Sequence, residues 1–537
     1  MKSDLSKGPE PVCRGRDRTW WLLTALLTTV LLLPLALVPL PPILDYPNHL
    51  ARMFVLANGP ADPFLSQVYA QQWNIIPNIG IDVIMPPMLA VMSVYTAGRI
   101  MLGVALLLPV FGTIAYSRAV FRTRYWWPLA SGLVAYNAVF LLGFMNFQIG
   151  IGIALLAAAC WIRWRASHPL GTVIAMAVLA VACFFVHLFA LLFLGLLIGT
   201  HELTAMWQER HRVRSLPRTA AFRFAACVAV FAAPIALYLA SPLGHTTDVP
   251  IWGTVAGKLN TLLGPYSTYD APGDLLAAVL TAAIVIACVT WRRAVVAPQA
   301  VLAAAILMVL YPLIPTHLEA AFIDTRLPIM AAFLVFAGFA PHRLPSRAAT
   351  GVTLAFSVVF LLRMGFLTYV WLGQNQDIAD MRKVIAHVPP ASRVLIVLVP
   401  RSDNLTYWNA MPRHRFLAAA LGVPPYSHLS GMLVIERRSI WPQMFTVATK
   451  QPLIVRPPYQ DVTQTEGVVP HYRLLYDDEP PPDVIKAWPY LAHWTTKFDY
   501  VLVMPAGGVD LARFRPDRLE LIAQTDIAAL LRVRPVQ

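Results

Sequence analysis

The sequence predicts a polytopic α-helical membrane protein of about eleven transmembrane helices, N-terminus inside and C-terminus outside, with a C-terminal mixed α/β extracytoplasmic domain. Three observations predict it. Of 537 residues, 58% are apolar and 13% charged, against about 45–50% and about 25% in a soluble domain. The apolar residues come in runs, such as Trp21–Pro41, of the ~20 residues that match the hydrocarbon thickness. After residue 373 charge returns and the runs shorten. This composition excludes an ordinary cytosolic enzyme, a disordered tail and a coiled coil.

The spacing places spans at 20–41, 95–117, 126–143, 147–162, 170–186, 187–203, 222–241, 274–291, 296–314, 326–340 and 349–371. Residues 1–19 form a cytoplasmic tail, 20–372 the membrane module and 373–537 the outer domain. Lys2, Lys7, Arg14, Arg16 and Arg18 precede the first run as in a secretory signal. That run is too long for a signal's apolar core and ends in Pro39-Leu40-Pro41-Pro42, so it reads as an uncleaved span. The inner loops then hold Arg118, Arg122 and Arg124, Arg163 and Arg165, the group from Arg210 to Arg223, Arg292 and Arg293, and Arg343 and Arg347. The outer loops before the last span hold mainly Arg52 and Lys258. Basic residues concentrate in cytoplasmic loops, and only two short spans meeting near His187 keep every cluster on one side. The excess of 42 Lys+Arg over 28 Asp+Glu is thus a topology signal, and no nucleic-acid partner is expected. Cys13 lies in the tail and the other four cysteines in apolar runs, with no metal or disulfide spacing.

In the outer domain, Arg393–Val399, Leu453–Val455 and Tyr500–Met504 read as strands. Asp377–His387 and Phe416–Leu421 read as helices, and Pro480–Pro482 as a loop. In the long first outer loop, 42–94, Tyr46–Asn58 can form a helix after Pro47. Ile79–Met92, which holds Asp82 and Pro86-Pro87, reads as an interfacial helix or a bent entry into the second span.

The residues that can carry chemistry gather on the outer face. Asp45 follows the first span, with His49 four residues on and Arg52 beyond. On a helix, residues four apart are neighbours, and a carboxylate beside an imidazole suits a general base or a metal ligand. Equally, an Asp before Pro47 can simply cap the helix. Thr316-His317-Leu318-Glu319 and Asp324-Thr325-Arg326 lie between two spans, where the Arg326 guanidinium can grip a phosphate or pair with Asp324 or Glu319 as an anchor. Gly143–Gly150 makes a turn whose Asn146 and Gln148 can bind hydroxyls or satisfy the turn. His187 reads as a satisfied interior histidine. Arg363, inside the last span, must snorkel, pair or meet a lipid phosphate. Asp248, Asp270 and Asp274 add carboxylates, with Trp252, Tyr266 and Tyr269 as stacking or interfacial aromatics. No P-loop, GxSxG or HExxH occurs, so ATP, serine-hydrolase and zinc-protease chemistry have no sequence basis.

An acidic residue right after the first span (Asp45), a long first outer loop, about eleven spans, Arg326-Leu327-Pro328 at a span entrance and an outer α/β domain together resemble the GT-C superfamily of membrane glycosyltransferases. The chain departs from the commonest pattern in having a single acidic residue there and Leu after Arg326. The resemblance implies an inverting transfer of a sugar from a polyprenyl-phosphate donor to a glycan, lipid or protein acceptor of the cell envelope. It implies Asp45 as base, His49 as orienter or second base, and Arg326 on the donor phosphate with Arg363 assisting. Arg52, Asn146, Gln148, His317, Glu319 and Asp324 are further substrate-binding candidates. A divalent cation, Mg or Mn, is an open cofactor expectation, and a bacterial inner membrane with its lipids is the expected setting. The rival readings are a polyprenyl-linked lipid transporter or flippase and a non-catalytic polysaccharide-assembly protein.

Overall fold

The computed structural model describes residues 14–210, 216–245, 249–405, 427–477 and 479–534. The membrane part opens with α1 (Arg14–Leu37), and the long loop after it carries α2 (Tyr46–Asn58), α3 (Leu65–Val68), β1 (Tyr69–Gln71) and α4 (Gly80–Met88). There follow α5 (Val94–Phe121), α6 (Ala138–Leu142), α7 (Met145–Trp164), α8 (Pro169–Val186), α9 (Leu188–Glu209) and α10 (Leu216–Ala240). Next come α11 (Val255–Thr261), α12 (Ala271–Thr290), β2 (Ala294–Val296), α13 (Pro298–Leu310), α14 (Arg326–Gly338), β3 (Phe339–Pro341) and α15 (Ser346–Ile385). The C-terminal part contributes β4 (Val394–Leu398), α16 (Met432–Arg437), β5 (Leu453–Val455), β6 (Tyr500–Met504), β7 (Leu519–Gln524) and β8 (Ala529–Val533).

Among the described residues, eight helices are long and apolar enough to cross a membrane, and three further apolar segments are shorter. Each of the eleven expected spans falls on one of them. The chain does break at His187, whose extended backbone ends α8 while its Nδ1 accepts the Phe189 N–H at 3.1 Å to start α9. The segment 126–143 is not one helix. A 3₁₀ turn, Trp127–Val134, is followed by α6, which Asn137 caps by accepting the Phe140 N–H at 3.0 Å. The helices α5 and α7 cross through glycines. A Cβ on Gly152 would lie 2.5 Å from the Leu108 backbone, and one on Gly112 would lie 2.9 Å from the Gly152 oxygen. Small residues let membrane helices approach closely.

The helix α15 runs unbroken for 40 residues, about 60 Å, so the expected last span and the expected Asp377–His387 helix are mostly one element. It leads into a four-stranded mixed sheet of order β4-β6-β8-β7, in which β4 and β6 are parallel and the other pairs antiparallel. The strand at Leu453–Val455 lies elsewhere: β5 pairs antiparallel with β1 of the first loop, Ala70 opposite Ile454. The expected helix Phe416–Leu421 lies outside the described residues, and Pro482 begins a short helix rather than staying in the loop.

The helix α2 of the first loop is enclosed by protein. Ten of the 13 residues of α2 are buried. The Asn48 amide clamps α2 to the C-terminal part, donating to the Gln443 carbonyl at 3.1 Å and accepting from the Phe445 N–H at 2.9 Å. On α5, the Tyr95 hydroxyl donates to Glu436 of α16 at 2.5 Å, and Arg382 of α15 meets the same carboxylate at 3.0 Å. Trp73, Ile75, Val91 and, on α4, Val83 and Ile84 keep apolar surface exposed.

Candidate functional site

Past α1 the chain is stiffened by Pro39, Pro41 and Pro42, and two main-chain bonds fix where it turns. The Leu44 N–H donates to the Leu141 carbonyl at 3.1 Å and the Asp45 N–H to the Leu142 carbonyl at 3.0 Å. Gly143 makes this contact possible. It adopts φ +99°, and a Cβ there would sit 2.9 Å from the Asp45 Cβ. Glycine is the residue that tolerates such a backbone at no steric cost.

Asp45 stands at the N-cap position of α2, yet its side chain accepts no cap hydrogen bond. Its Oδ1 lies instead 2.9 Å from Nδ1 of His428, with 15% and 18% of the two side chains exposed. No cap hydrogen bond forms, and the carboxylate stands instead at contact distance from an imidazole brought from far along the chain, outside hydrogen-bond geometry. His49, one turn along α2, packs edge-on against Phe445 at 5.4 Å, and Phe445 packs edge-on against His428 at 5.2 Å. The His49 Nδ1 is buried without a partner among the described residues. Burial first, then the charge of Arg52 and the neighbouring His428, hold the His49 imidazole well below its ordinary pKa. It is a neutral ring at neutral pH.

On the other side of the same corner, Phe144 carries Arg326. The Arg326 guanidinium, at the start of α14, lies 5.0, 5.7 and 5.1 Å from the rings of Phe144, Phe147 and Phe189. It is 5% exposed. Nη2 donates to the Ala321 carbonyl at 3.3 Å, and Nε has no partner among the described residues. No carboxylate contacts it among the described residues: Asp324 is taken by Lys258 at 3.1 Å and by the Thr316 hydroxyl at 2.8 Å. A buried cation without an anion is costly, and the aromatic faces offset only part of that cost. Arginine is suited to binding phosphate with two parallel N–H groups.

The remaining candidates do other work. Arg52 points away from Asp45 and forms a buried two-bond pair with Asp82 of α4, at 2.6 and 3.0 Å. Asn146 bonds the Asn78 carbonyl at 2.8 Å and accepts from the Ile81 N–H at 3.0 Å, tying α7 to the entry of α4. Gln148 donates to Asn137 at 2.7 Å. Both serve the turn rather than presenting free amide donors. Arg363, expected beside the donor phosphate, is paired with Asp274 and donates to the Tyr266 carbonyl at 2.7 Å. His317 bridges to Ile251, and Glu319 sits at φ +58° in the same loop, ahead of α14. Of the loop aromatics, Trp252 is exposed and Tyr269 is buried, bonding to Trp371 at 3.1 Å; Asp248 lies outside the described residues. His428 carries no motif, and only the fold brings it to the first loop. As for a divalent cation, among the described residues no three His, Cys, Asp or Glu side chains form a set that would hold one.

No protein-family profile and no curated protein matches the chain. Among solved structures, the chain is similar to the crystal structure of ArnT from Cupriavidus metallidurans bound to undecaprenyl phosphate. The similarity covers 97% of this chain and 98% of that one, at a TM-score of 0.49 and 14% sequence identity.

Proposed function

We propose that the protein is an integral membrane glycosyltransferase that moves a sugar from a polyprenyl-phosphate donor to an envelope acceptor at the outer face of the membrane. The observation that carries this reading is Arg326, a buried guanidinium in an aromatic box with no carboxylate in contact among the described residues. It shares the Leu142–Phe144 corner with a carboxylate, Asp45, that is spent on no cap.

The chemistry follows from that placement. Asp45 takes the proton from the acceptor hydroxyl as its oxygen bonds to the anomeric carbon. The bond from that carbon to the phosphate oxygen breaks with inversion, and polyprenyl phosphate leaves. The charge growing on the leaving phosphate is met by Arg326 in a dry site, where a fixed cation acts most strongly. His428 holds the Asp45 carboxylate in place, and neutral His49 orients the acceptor.

The test is turnover of the purified full-length protein with a panel of polyprenyl-phosphate sugars, read as release of polyprenyl phosphate. Asp45→Asn is expected to lower release about 10²–10⁴-fold, the usual contribution of a positioned base. Wild-type release by Asp45→Asn would remove Asp45 from the mechanism.

A further inference from the structure

A cavity lies along α1 on the side away from Asp45, lined by Leu23 to Val30 of that helix. Its volume is about 650 Å³, within the range of ligand sites, and it opens between α1, the Trp127–Val134 turn and α15. Leu26, Leu27, Val30, Leu133, Phe356 and Phe360 make an apolar wall. None of the lining residues is Asp or Glu, whereas His342 and Arg343 are among them.

The mouth is basic by construction. The Arg293 guanidinium donates to the Arg343 carbonyl at 2.8 Å, and the His342 N–H donates to the Arg293 carbonyl at 2.8 Å, so two arginine-bearing turns are tied together. The Arg343 side chain is exposed and has no ion-pair partner among the described residues. Beside Tyr125 and Trp126 of the lining, the Arg124 guanidinium lies 5.8 and 5.6 Å from the rings of Trp20 and Trp21. An acyl-sized apolar cavity under a rim of arginine and interfacial tryptophan matches one ligand chemistry. Basic pockets between transmembrane helices attract anionic lipid head groups.

We propose that this cavity binds an anionic diacyl phospholipid of the leaflet opposite Asp45. Its acyl chains lie along α1 and α15 and its phosphate meets Arg343. A polyprenyl phosphate leaving the transfer site has its head group on the other face, so the resident phospholipid is the occupant.

The experiment uses full-length protein in mild detergent, delipidated and then given dioleoyl phosphatidylglycerol, dioleoyl phosphatidylcholine or polyprenyl phosphate. Lipid retained through gel filtration and the unfolding temperature are measured. Phosphatidylglycerol alone is expected to be retained at this site and to raise the unfolding temperature. Arg343→Glu, an exposed position, weakens its retention about tenfold. Ala349→Trp, which fills the cavity with Arg343 intact, abolishes it. Equal effects of the two phospholipids, or an effect that survives both variants, overturns the proposal. Stabilisation through Arg343 by polyprenyl phosphate alone also overturns it. So does loss of a dimer in Ala349→Trp with no lipid preference, which would assign the face to a second copy.

Discussion

At the scale of single residues, the site rests on side chains whose stability and functional roles separate. Arg326 is buried with no carboxylate in contact among the described residues, so Arg326→Met should leave the unfolding temperature unchanged or raised while removing polyprenyl-phosphate binding. A structural arginine would show the opposite, a loss of about 3–5 kcal/mol. Gly143 is the hinge between the two charges. Gly143→Ala adds strain of about 1–3 kcal/mol at φ +99° and pushes on the Asp45 Cβ, so transfer should fall more than stability does. His49 sets a pH dependence. Its imidazole is held below its ordinary value, so the unfolded chain, titrating near pH 6.5, binds the proton more readily. Stability should fall as pH drops below about 6.5, and His49→Gln should flatten that slope in denaturation curves taken between pH 5 and 7. Asp45 and Arg326 could be singled out as candidates because they adjoin apolar runs away from the loops where the basic clusters gather. His428 and Asn48 were not, because their partners lie hundreds of positions away along the chain.

At the scale of elements, the first loop shows what hydrophobic pattern reveals and what it hides. The pattern predicted the α2 limits, Tyr46–Asn58, since Pro47 favours a helix start and the apolar residues recur with helical period. It did not predict that α2 would be enclosed by the C-terminal part, because an amphipathic helix reads alike at a membrane surface and against protein. The Arg52–Asp82 pair locks α2 to α4 with both side chains almost fully buried. Removing one partner strands the other, so Asp82→Ala should cost about 3–5 kcal/mol, checked by thermal or denaturant unfolding in detergent. The double replacement Arg52→Met/Asp82→Leu should recover most of that loss. The strands β7 and β8 escaped the sequence reading because a register shift between Leu521 and Ala523 and the unbroken apolar run Ala529–Leu531 break their alternation. The join of the last span to the helix beyond it escaped because Gly373 and the polar residues Gln374–Asp377 read as a stop, whereas α15 runs straight through them.

At the scale of the whole molecule, one end of the helix bundle is closed by the C-terminal part, through β1–β5, Asn48 and His428. The basic residues mark the other end, where the phospholipid cavity opens. A chain with this distribution should insert with the Arg293 and Arg343 turns inside. In cysteine-free protein, Ser346→Cys should then react with an impermeant maleimide only after the membrane is opened, and Ser402→Cys without opening. A lipid phosphate is thus proposed at each end, and at one of them Asp45 and Arg326 flank the Leu142–Phe144 corner. The most direct test is equilibrium binding of polyprenyl phosphate to purified wild-type, Arg326→Met and Asp45→Asn proteins at matched unfolding temperature. Binding lost in Arg326→Met and kept in Asp45→Asn is the predicted result. Equal binding by all three folded proteins would contradict the assignment of Arg326 to the donor phosphate.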